Sequence, residues 1–295
     1  MCSPCFARTD DGLSVVLKGC QDAVDSIKTY KGSITAHYWR LHAGGDIVEM
    51  ESSCTIAYVN GKYKLSEEAR GIRNDIVPKL KNVIIGDKLG VTILAFDGSN
   101  FTNTISGSKY AKVCSAADNS PASRRNSSMK ERIDIIGHGI FKIEPCEYGK
   151  LKVVGRRQLN GDECIIVEKR IERPISSSRT SFTTYEYWVN PAKGYTIPIM
   201  KCWTAATGIM DKSLLEDIIT EIKDYGNGTW GPSKSTLTQY NLYGTDKGKE
   251  HLRMEVTYGP DFRINVPVSS DEVMLKLDPG TSVWNETTDE TYSVL

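Results

Sequence analysis

The sequence has no excess of charge of either sign and no long apolar run. Its 295 residues include 37 basic and 37 acidic side chains, so the formal net charge is zero. Nucleic-acid-binding proteins usually carry a basic excess or a basic stripe, and strongly charged chains tend to be disordered. No segment approaches the roughly 20 apolar residues that a membrane-spanning helix needs. These absences exclude nucleic acid as a partner and leave a folded domain.

Motifs of common catalytic sites are also missing. The four histidines form no H-x-x-x-H pair, and neither G-x-S-x-G nor G-x-x-x-x-G-K-[ST] occurs. The segment GNGTWG at 226–231 matches G-x-G-x-x-G, but Pro232 follows it where a dinucleotide site requires a helix. We interpret this segment as a hairpin loop. The sequence therefore predicts no enzyme, no cofactor and no metal site; an enzyme with dispersed carboxylates stays open as an alternative.

The eight cysteines do not form a zinc-ribbon pattern. Cys2 and Cys5 make an isolated C-x-x-C outside any βαβ pattern, which is where a thioredoxin-type site would lie. Four others lie within apolar patterns: Cys20, Cys54, Cys164 and Cys202. A free cysteine in such a pattern is most often a small core residue. We predict that these four thiols are buried.

Residues 1–11 precede the first clear structural pattern. The segment MCSPCFA before Arg8 is similar to the end of a signal peptide, with Ala7 at the cleavage side and the apolar core missing. We predict that residues 1–11 are a truncated signal-peptide remnant or a flexible N terminus, and a lipid anchor on Cys2 is a further alternative. Export would place the protein in the periplasm or cell envelope.

The first element is predicted to be an amphipathic helix. Its apolar residues follow the i, i+3, i+4 rhythm of one helical stripe: Leu13, Val16, Leu17, Cys20, Val24 and Ile27. Asp10 and Asp11 suit its N-terminal end, because they complement the helix dipole. Gly32 is predicted to end it.

Most of the remaining chain has the alternation and the turns of β-strands. Asn60-Gly61 and Asn160-Gly161 are two-residue hairpin signals between such segments. About a dozen strands separated by tight turns predict a mainly β fold with one large antiparallel sheet. Residues 214–223 also fit helical spacing, although the surrounding pattern favours a strand. Nothing requires a domain boundary, so we predict one domain over residues 12–295.

Two segments depart from the strand pattern. Residues 115–132 are polar and rich in serine, and are predicted to form a loop. Residues 133–143 are apolar with two glycines, and are predicted to form a short helical lid or a buried connection. Short helical segments of this kind would complete the cover that the N-terminal helix begins.

A large antiparallel sheet must bury one face, and a helix on a curved sheet can leave an apolar groove beside it. Aromatic and sulfur-containing strand residues are the candidates for the lining of such a ligand cavity: Tyr38, Trp39, Tyr58, Tyr187, Trp188 and Met200. The alternative is that these side chains fill a sealed core, as aromatic strand residues usually do.

The order of these segments resembles the bacterial outer-membrane lipoprotein-sorting carriers, meaning the periplasmic lipoprotein chaperone and its lipoprotein-type relatives. The resemblance is to a divergent branch found in planctomycete-like genomes. The helix at 12–28 runs directly into a strand, as in that family. The segments VVGRRQLNGDECIIVE (153–168), YEYWVNPAKGYTIPIM (185–200) and VMLKLDPGTSVWNETTDETYSVL (273–295) resemble family hairpins and the closing segment.

The resemblance implies an incomplete β-barrel, with helices lidding an apolar cavity that carries acyl chains and performs no catalysis. Arg40 is the nearest candidate for the arginine that the carriers use near the cavity. We therefore expect a monomeric exported protein that binds lipid or lipoprotein acyl chains, with an envelope protein as a further partner and at most peripheral membrane contact. The alternative is a sensing or interaction module of the same fold in envelope-stress regulation.

Overall fold

The computed structural model describes residues 9–42, 45–74, 91–115, 149–176 and 179–295. The helices are α1 (Thr9–Ser26) and α2 (Ser270–Val273), and Pro191–Lys193 form a 3-10 turn. The strands are β1 (Thr29–Leu41), β2 (Ile47–Val59), β3 (Lys62–Asn74), β4 (Thr92–Phe96), β5 (Asn100–Ile105), β6 (Tyr110–Ser115), β7 (Gly149–Leu159), β8 (Asp162–Ser176), β9 (Arg179–Asn190), β10 (Thr196–Ala206), β11 (Met210–Asp224), β12 (Trp230–Tyr240), β13 (Glu250–Tyr258), β14 (Arg263–Ile264), β15 (Ser282–Asn285) and β16 (Glu290–Ser293).

The predicted fold class is confirmed, because the described chain is mainly β with an N-terminal helix and long antiparallel strands. Strands that follow one another from β1 to β6 and from β7 to β12 pair antiparallel, whereas β15 and β6 run parallel. The chain divides into two compact units. The first contains α1, β7 to β12 and the beginning of β13; the second contains β1 to β6, the end of β13, β14 to β16 and α2.

In the first unit the strand order is β12-β11-β10-β9-β8-β7, so each strand pairs with its neighbour in sequence. The turn after β7 places Asn160 and Gly161 at φ of 54° and 89°, the left-handed conformation that an Asn-Gly hairpin supplies at low cost. Residues 210–224 form β11, as the strand interpretation predicts. The GNGTWG segment lies in the hairpin between β11 and β12, where the Tyr225 N–H donates to the Thr229 carbonyl at 2.8 Å.

Helix α1 packs on one face of this sheet through its apolar stripe. Val16 and Cys20 are buried against strand residues, and Leu13 and Leu17 flank them. Gly19 allows a close approach to Tyr195, because a Cβ added there would lie 2.4 Å from the Tyr195 ring. A helical glycine costs up to about 1 kcal/mol relative to alanine. The tight contact between helix and ring accounts for its presence here.

In the second unit the order is β16-β15-β6-β5-β4-β3-β2-β1. One cross-strand row of aromatic side chains runs through β1 to β5: Tyr30, Tyr58, Tyr63, Phe96 and Phe101. Facing residues of an antiparallel pair point to the same side and contact each other. The Tyr30 and Tyr58 rings stack at 4.6 Å, and the Phe96 and Phe101 centroids are 4.8 Å apart. This row forms much of the buried core of the unit.

The end of the helix differs from the prediction. Helix α1 ends at Ser26 and β1 begins at Thr29, so Gly32 lies inside a strand and does not end the helix. Its φ is +146°, and an added Cβ would lie 2.3 Å from the Cα of Phe262. A close backbone approach, rather than helix termination, explains this glycine.

Five cysteines lie in the described residues, and all of them are free and buried: Cys20, Cys54, Cys114, Cys164 and Cys202. This confirms the four predicted core thiols. Cys2 and Cys5, residues 116–132 of the predicted loop and the 133–143 segment lie outside the described residues. Neither helix in the described ranges is both long and apolar enough to cross a bilayer.

Candidate functional site

The sheet face beneath α1 carries a continuous apolar row across four strands. The residues Tyr187, Met200, Ile218 and Leu237 lie opposite one another on β9, β10, β11 and β12. The first three are 5–7% exposed, and Leu237 packs beside them. Since cross-strand partners share a side of the sheet, the row forms one apolar floor. We call these four residues the apolar floor.

Helix α1 packs into the same buried cluster as the apolar floor, and its contacts there are mainly apolar. Val16 and Cys20 belong to the same buried cluster as Tyr187 and Met200. The Cys20 thiol also donates to the Tyr195 carbonyl at 3.6 Å, but a thiol is a weak donor. Apolar contacts are not directional, so they hold the helix without the fixed geometry that backbone hydrogen bonds give a strand.

A second cross-strand row lies two residues further along the same strands. It contains Tyr185, Cys202, Glu216 and Gln239, which also lie opposite one another. Side chains two residues apart on a strand share a face, so this polar row borders the apolar floor directly. The Tyr185 and Tyr187 rings, 6.1 Å apart and nearly parallel, join the two rows.

The polar row surrounds one carboxyl group. Gln239 Nε2 donates to Glu216 Oε2 at 2.7 Å. Burial raises the pKa of the Glu216 carboxyl, and the neighbouring Asp217 raises it further. Burial also raises the pKa of the Cys202 thiol to about 11, with Glu216 adding to the shift. The face therefore combines an apolar floor with a partly desolvated carboxyl at its border.

The opposite face of the same strands has a different character. Trp188 and Ile219 follow Tyr187 and Ile218 in the sequence and so point to the other side. The indole N–H of Trp188 donates to Glu186 at 2.8 Å, and the Arg157 guanidinium lies 5.4 Å from the ring centroid. Ile219 is 50% exposed. Helix α1 does not cover this face.

The six predicted cavity residues therefore do not share one surface. Tyr187 and Met200 lie side by side in the apolar floor, whereas Trp188 points away from it. In the second unit Tyr58 stacks on Tyr30, and Tyr38 lies further along the same side of β1. Trp39 is adjacent to Tyr38 and points to the opposite side. Arg40 is an exposed residue on the Tyr38 side of β1.

The second unit also contains a pocket of about 390 Å³ with charged side chains in its lining. Lys31 and Lys64 line it together with Asp261 and Glu272. Lys31 Nζ lies 2.7 Å from Glu272 Oε1 and, with the backbone N–H of Ser269, lowers the pKa of Glu272 to about 2. Because ionised groups line this pocket, burying an acyl chain there would require their desolvation.

Within the ranges that the structure describes, no group of three or more His, Cys, Asp or Glu side chains is arranged to hold a metal ion. The apolar floor also contains residues that sequence reasoning missed. Ile218 and Leu237 are aliphatic, whereas the sequence argument singled out aromatic residues. Strand alternation could have identified Ile218 as a floor candidate. Once β11 is taken as a strand, Ile218 and Ile219 must face opposite sides of the sheet. Glu216 and Gln239 gave no sequence signal, because their proximity depends on the β11–β12 register.

No protein-family model matches the chain, and comparison with curated proteins gives no match. Several solved structures are similar. They include a DUF1329 family protein from Desulfovibrio piger (10% identity, 91% of this chain and 98% of that chain, TM-score 0.44). A domain assigned to outer-membrane lipoprotein sorting from Vibrio parahaemolyticus shares 11% identity over 87% and 95% of the two chains, with a TM-score of 0.43. A LolA superfamily protein from Nitrosomonas europaea shares 8% identity over 89% and 97%, with a TM-score of 0.40.

Proposed function

We propose that this protein is a non-enzymatic, exported envelope protein that holds an apolar ligand against the apolar floor. The ligand would be the acyl chain of a lipid or of a lipoprotein. The observation that carries the proposal is the floor of Tyr187, Met200, Ile218 and Leu237 beneath a helix attached by apolar contacts. The sequence resemblance to lipoprotein-sorting carriers supports the location in the periplasm or cell envelope.

The energetics of burial favour such an exchange. Each CH₂ group removed from water contributes about 0.8 kcal/mol, so a 16-carbon chain contributes on the order of 12 kcal/mol before the costs of binding. Lifting α1 re-exposes Val16 and Cys20 and the flanking leucines, at about 1.5–3 kcal/mol for each large side chain that was fully buried. A long acyl chain can therefore replace the helix on the floor, and return of the helix would favour release.

Two of the predicted cavity residues, Tyr187 and Met200, take part in this proposal. Tyr38, Trp39 and Tyr58 in the second unit and Trp188 on the uncovered face remain predictions from the sequence. A carrier of this type needs no cofactor, because its work is the transfer of a chain between two apolar environments.

The proposal is tested by ligand uptake with paired variants on adjacent residues of β11. Ile218→Trp places a bulky ring in the apolar floor, whereas Ile219→Trp places it on the uncovered face of the same strand. The probe is a fluorescent C16 fatty-acid methyl ester, whose neutral head avoids any charge effect. We expect wild type and I219W to take up the ester, and I218W to bind it about tenfold more weakly or not at all.

Circular dichroism and thermal melting of each variant would establish that I218W still folds. Native mass spectrometry of the wild-type protein after mild extraction should show a co-purified lipid. A wild-type protein that takes up no ester, or an equal loss of binding in I218W and I219W, would contradict the proposal. The first result would exclude acyl binding, and the second would exclude the apolar floor as the place where it occurs.

A further inference from the structure

We infer that the polar row prefers a cationic hydrogen-bond donor in the head group of a bound chain, so that a chain with an ammonium head group binds more tightly than the same chain with an ester or a carboxylate. The inference rests on the proposed function, because it assigns the head-group site for a chain held on the apolar floor. Glu216 and Gln239 would contact the head group, and Tyr185 and Cys202 are the other members of the row.

Position is the first support. Each member of the polar row lies two residues from a member of the apolar floor on the same strand: Tyr185 and Tyr187, Cys202 and Met200, Glu216 and Ile218, Gln239 and Leu237. Two residues along a strand span roughly 6.8 Å. The head group of a chain lying on the floor can therefore reach the carboxyl of Glu216 within a few bonds of its last methylene.

Charge is the second support. No lysine or arginine among the described residues forms an ion pair with Glu216. Lys169 continues the row on β8, opposite Tyr185, but three strand spacings separate it from Glu216, which is roughly 14 Å. The Gln239 amide supplies one hydrogen bond to the carboxylate, whereas an ionised carboxylate can accept about four. Acceptor positions that Gln239 does not use remain for a donor on the ligand.

The sign of the local field is the third support. Asp217 is the next residue on β11, and its charge adds to that of Glu216 even though its side chain points to the other face. An ammonium group beside Glu216 would form a charge-assisted hydrogen bond, which is about twice as strong as a neutral one. A carboxylate head group at the same place would be repelled by both acidic side chains. The preference should therefore run from amine to neutral ester to carboxylate.

The test compares C16 ligands with three different head groups on wild type and two variants. The ligands are hexadecylamine, methyl palmitate and palmitate, each measured below its critical aggregation concentration by displacement of the fluorescent ester. Glu216→Gln removes the charge and keeps an oxygen that can accept from Gln239. Asp217→Asn is the matched control, because Asp217 lies next to Glu216 but faces away and accepts from the Tyr240 hydroxyl at 3.2 Å.

We expect wild type to bind hexadecylamine about tenfold more tightly than methyl palmitate, as a charge-assisted hydrogen bond implies. E216Q should lose that preference while its affinity for the ester stays within about twofold. D217N should keep most of the preference, because Asp217 acts on the site only through its charge and faces away from the ligand. If the ester binds and the amine binds no more tightly, or if E216Q keeps the preference, the inference is overturned and the proposed function stands. If no C16 ligand binds the wild-type protein, both fail together.

Discussion

The packing of α1 on the sheet can be tested at the contact between Gly19 and Tyr195, because Gly19→Ala adds a single methyl group there. A Cβ at position 19 would lie 2.4–2.6 Å from three atoms of the Tyr195 ring, Cδ1, Cγ and Cε1. Ordinary van der Waals contact begins near 3.4 Å. Gly19→Ala therefore requires a displacement of about 1 Å between helix and ring.

The ring has little freedom to withdraw. Tyr195 has a φ of 59°, in the left-handed region that non-glycine residues adopt rarely, and it follows Gly194 at 64°. Its carbonyl accepts from the Cys20 thiol, one residue beyond Gly19. Because the close atoms include Cγ, which lies next to the backbone of this turn, relief requires rotation about χ1 or displacement of the helix. Overpacking of this kind lowers the free energy of unfolding by about 1–3 kcal/mol. The higher helix propensity of alanine offsets up to about 1 kcal/mol of that loss.

We expect Gly19→Ala to lower the free energy of unfolding by about 1–2 kcal/mol, measured by urea denaturation. Gly12→Ala in the same helix is the control. Gly12 is exposed and has nothing within 4 Å of an added Cβ, so alanine there should stabilise the protein by up to about 1 kcal/mol. A second control is Tyr195→Asn, which removes the ring and suits the positive φ. In that background Gly19→Ala should no longer destabilise. If G19A is as stable as G12A, the close packing inferred here is wrong.

Further predictions concern the second unit. Glu272→Gln should remove a pH-dependent contribution: Lys31 lowers the pKa of Glu272 from 4.5 to about 2, so the stabilisation is complete above about pH 4.5 and is lost as the pH falls towards 2. Thermal melting between pH 6 and 3 should therefore be less steep in pH for the variant, and an unchanged slope would contradict this. Gly32→Ala, with φ of +146° and a Cβ 2.3 Å from backbone, should lower the melting temperature more than Gly107→Ala, where no atom lies within 4 Å; equal losses would count against the close approach. Burial raises the pKa of the Cys54 thiol to about 12, so alkylation at pH 8, followed by peptide mass spectrometry, should be at least about 100-fold slower in the folded than in the urea-unfolded protein.

The fold was largely predictable because its signals are local. The i, i+3, i+4 spacing of Leu13, Val16 and Cys20 depends only on the helical repeat, and α1 forms there. Asn-Gly at 60–61 and 160–161 sets a two-residue turn with positive φ, and the structure has positive φ at all four residues. Gly32 was misinterpreted because its constraint is not local. It results from the approach of Phe262, more than 200 residues later in the chain.

The site was less predictable because it depends on which face each side chain takes and on the register between strands. Tyr38 and Trp39 are adjacent on β1, and Tyr187 and Trp188 are adjacent on β9. Because adjacent strand residues face opposite sides of the sheet, the two members of each pair cannot line the same surface. Strand alternation alone predicts this separation. The proximity of Glu216 to Gln239 could not have been found in this way, since a register shift of one residue would move Gln239 to the other face.

Under the proposed function, the two interpretations of Tyr187 and Met200, a groove lining or a sealed core, correspond to two states of one face. With α1 in place, Tyr187 and Met200 are 6% and 7% exposed and belong to a packed core. If a ligand displaced α1, as we propose, the same side chains would form the floor of an open groove. The population of the two states depends on the free energy of packing α1 on the sheet compared with the free energy of binding a ligand chain there. Apolar contacts dominate both free energies. Weakening the helix contact at Gly19 should therefore increase the affinity for an acyl chain while it lowers the stability of the empty protein, because the ligand no longer competes with a well-seated helix. A G19A variant that loses stability and affinity together would instead show that the helix is part of the binding site and not its competitor.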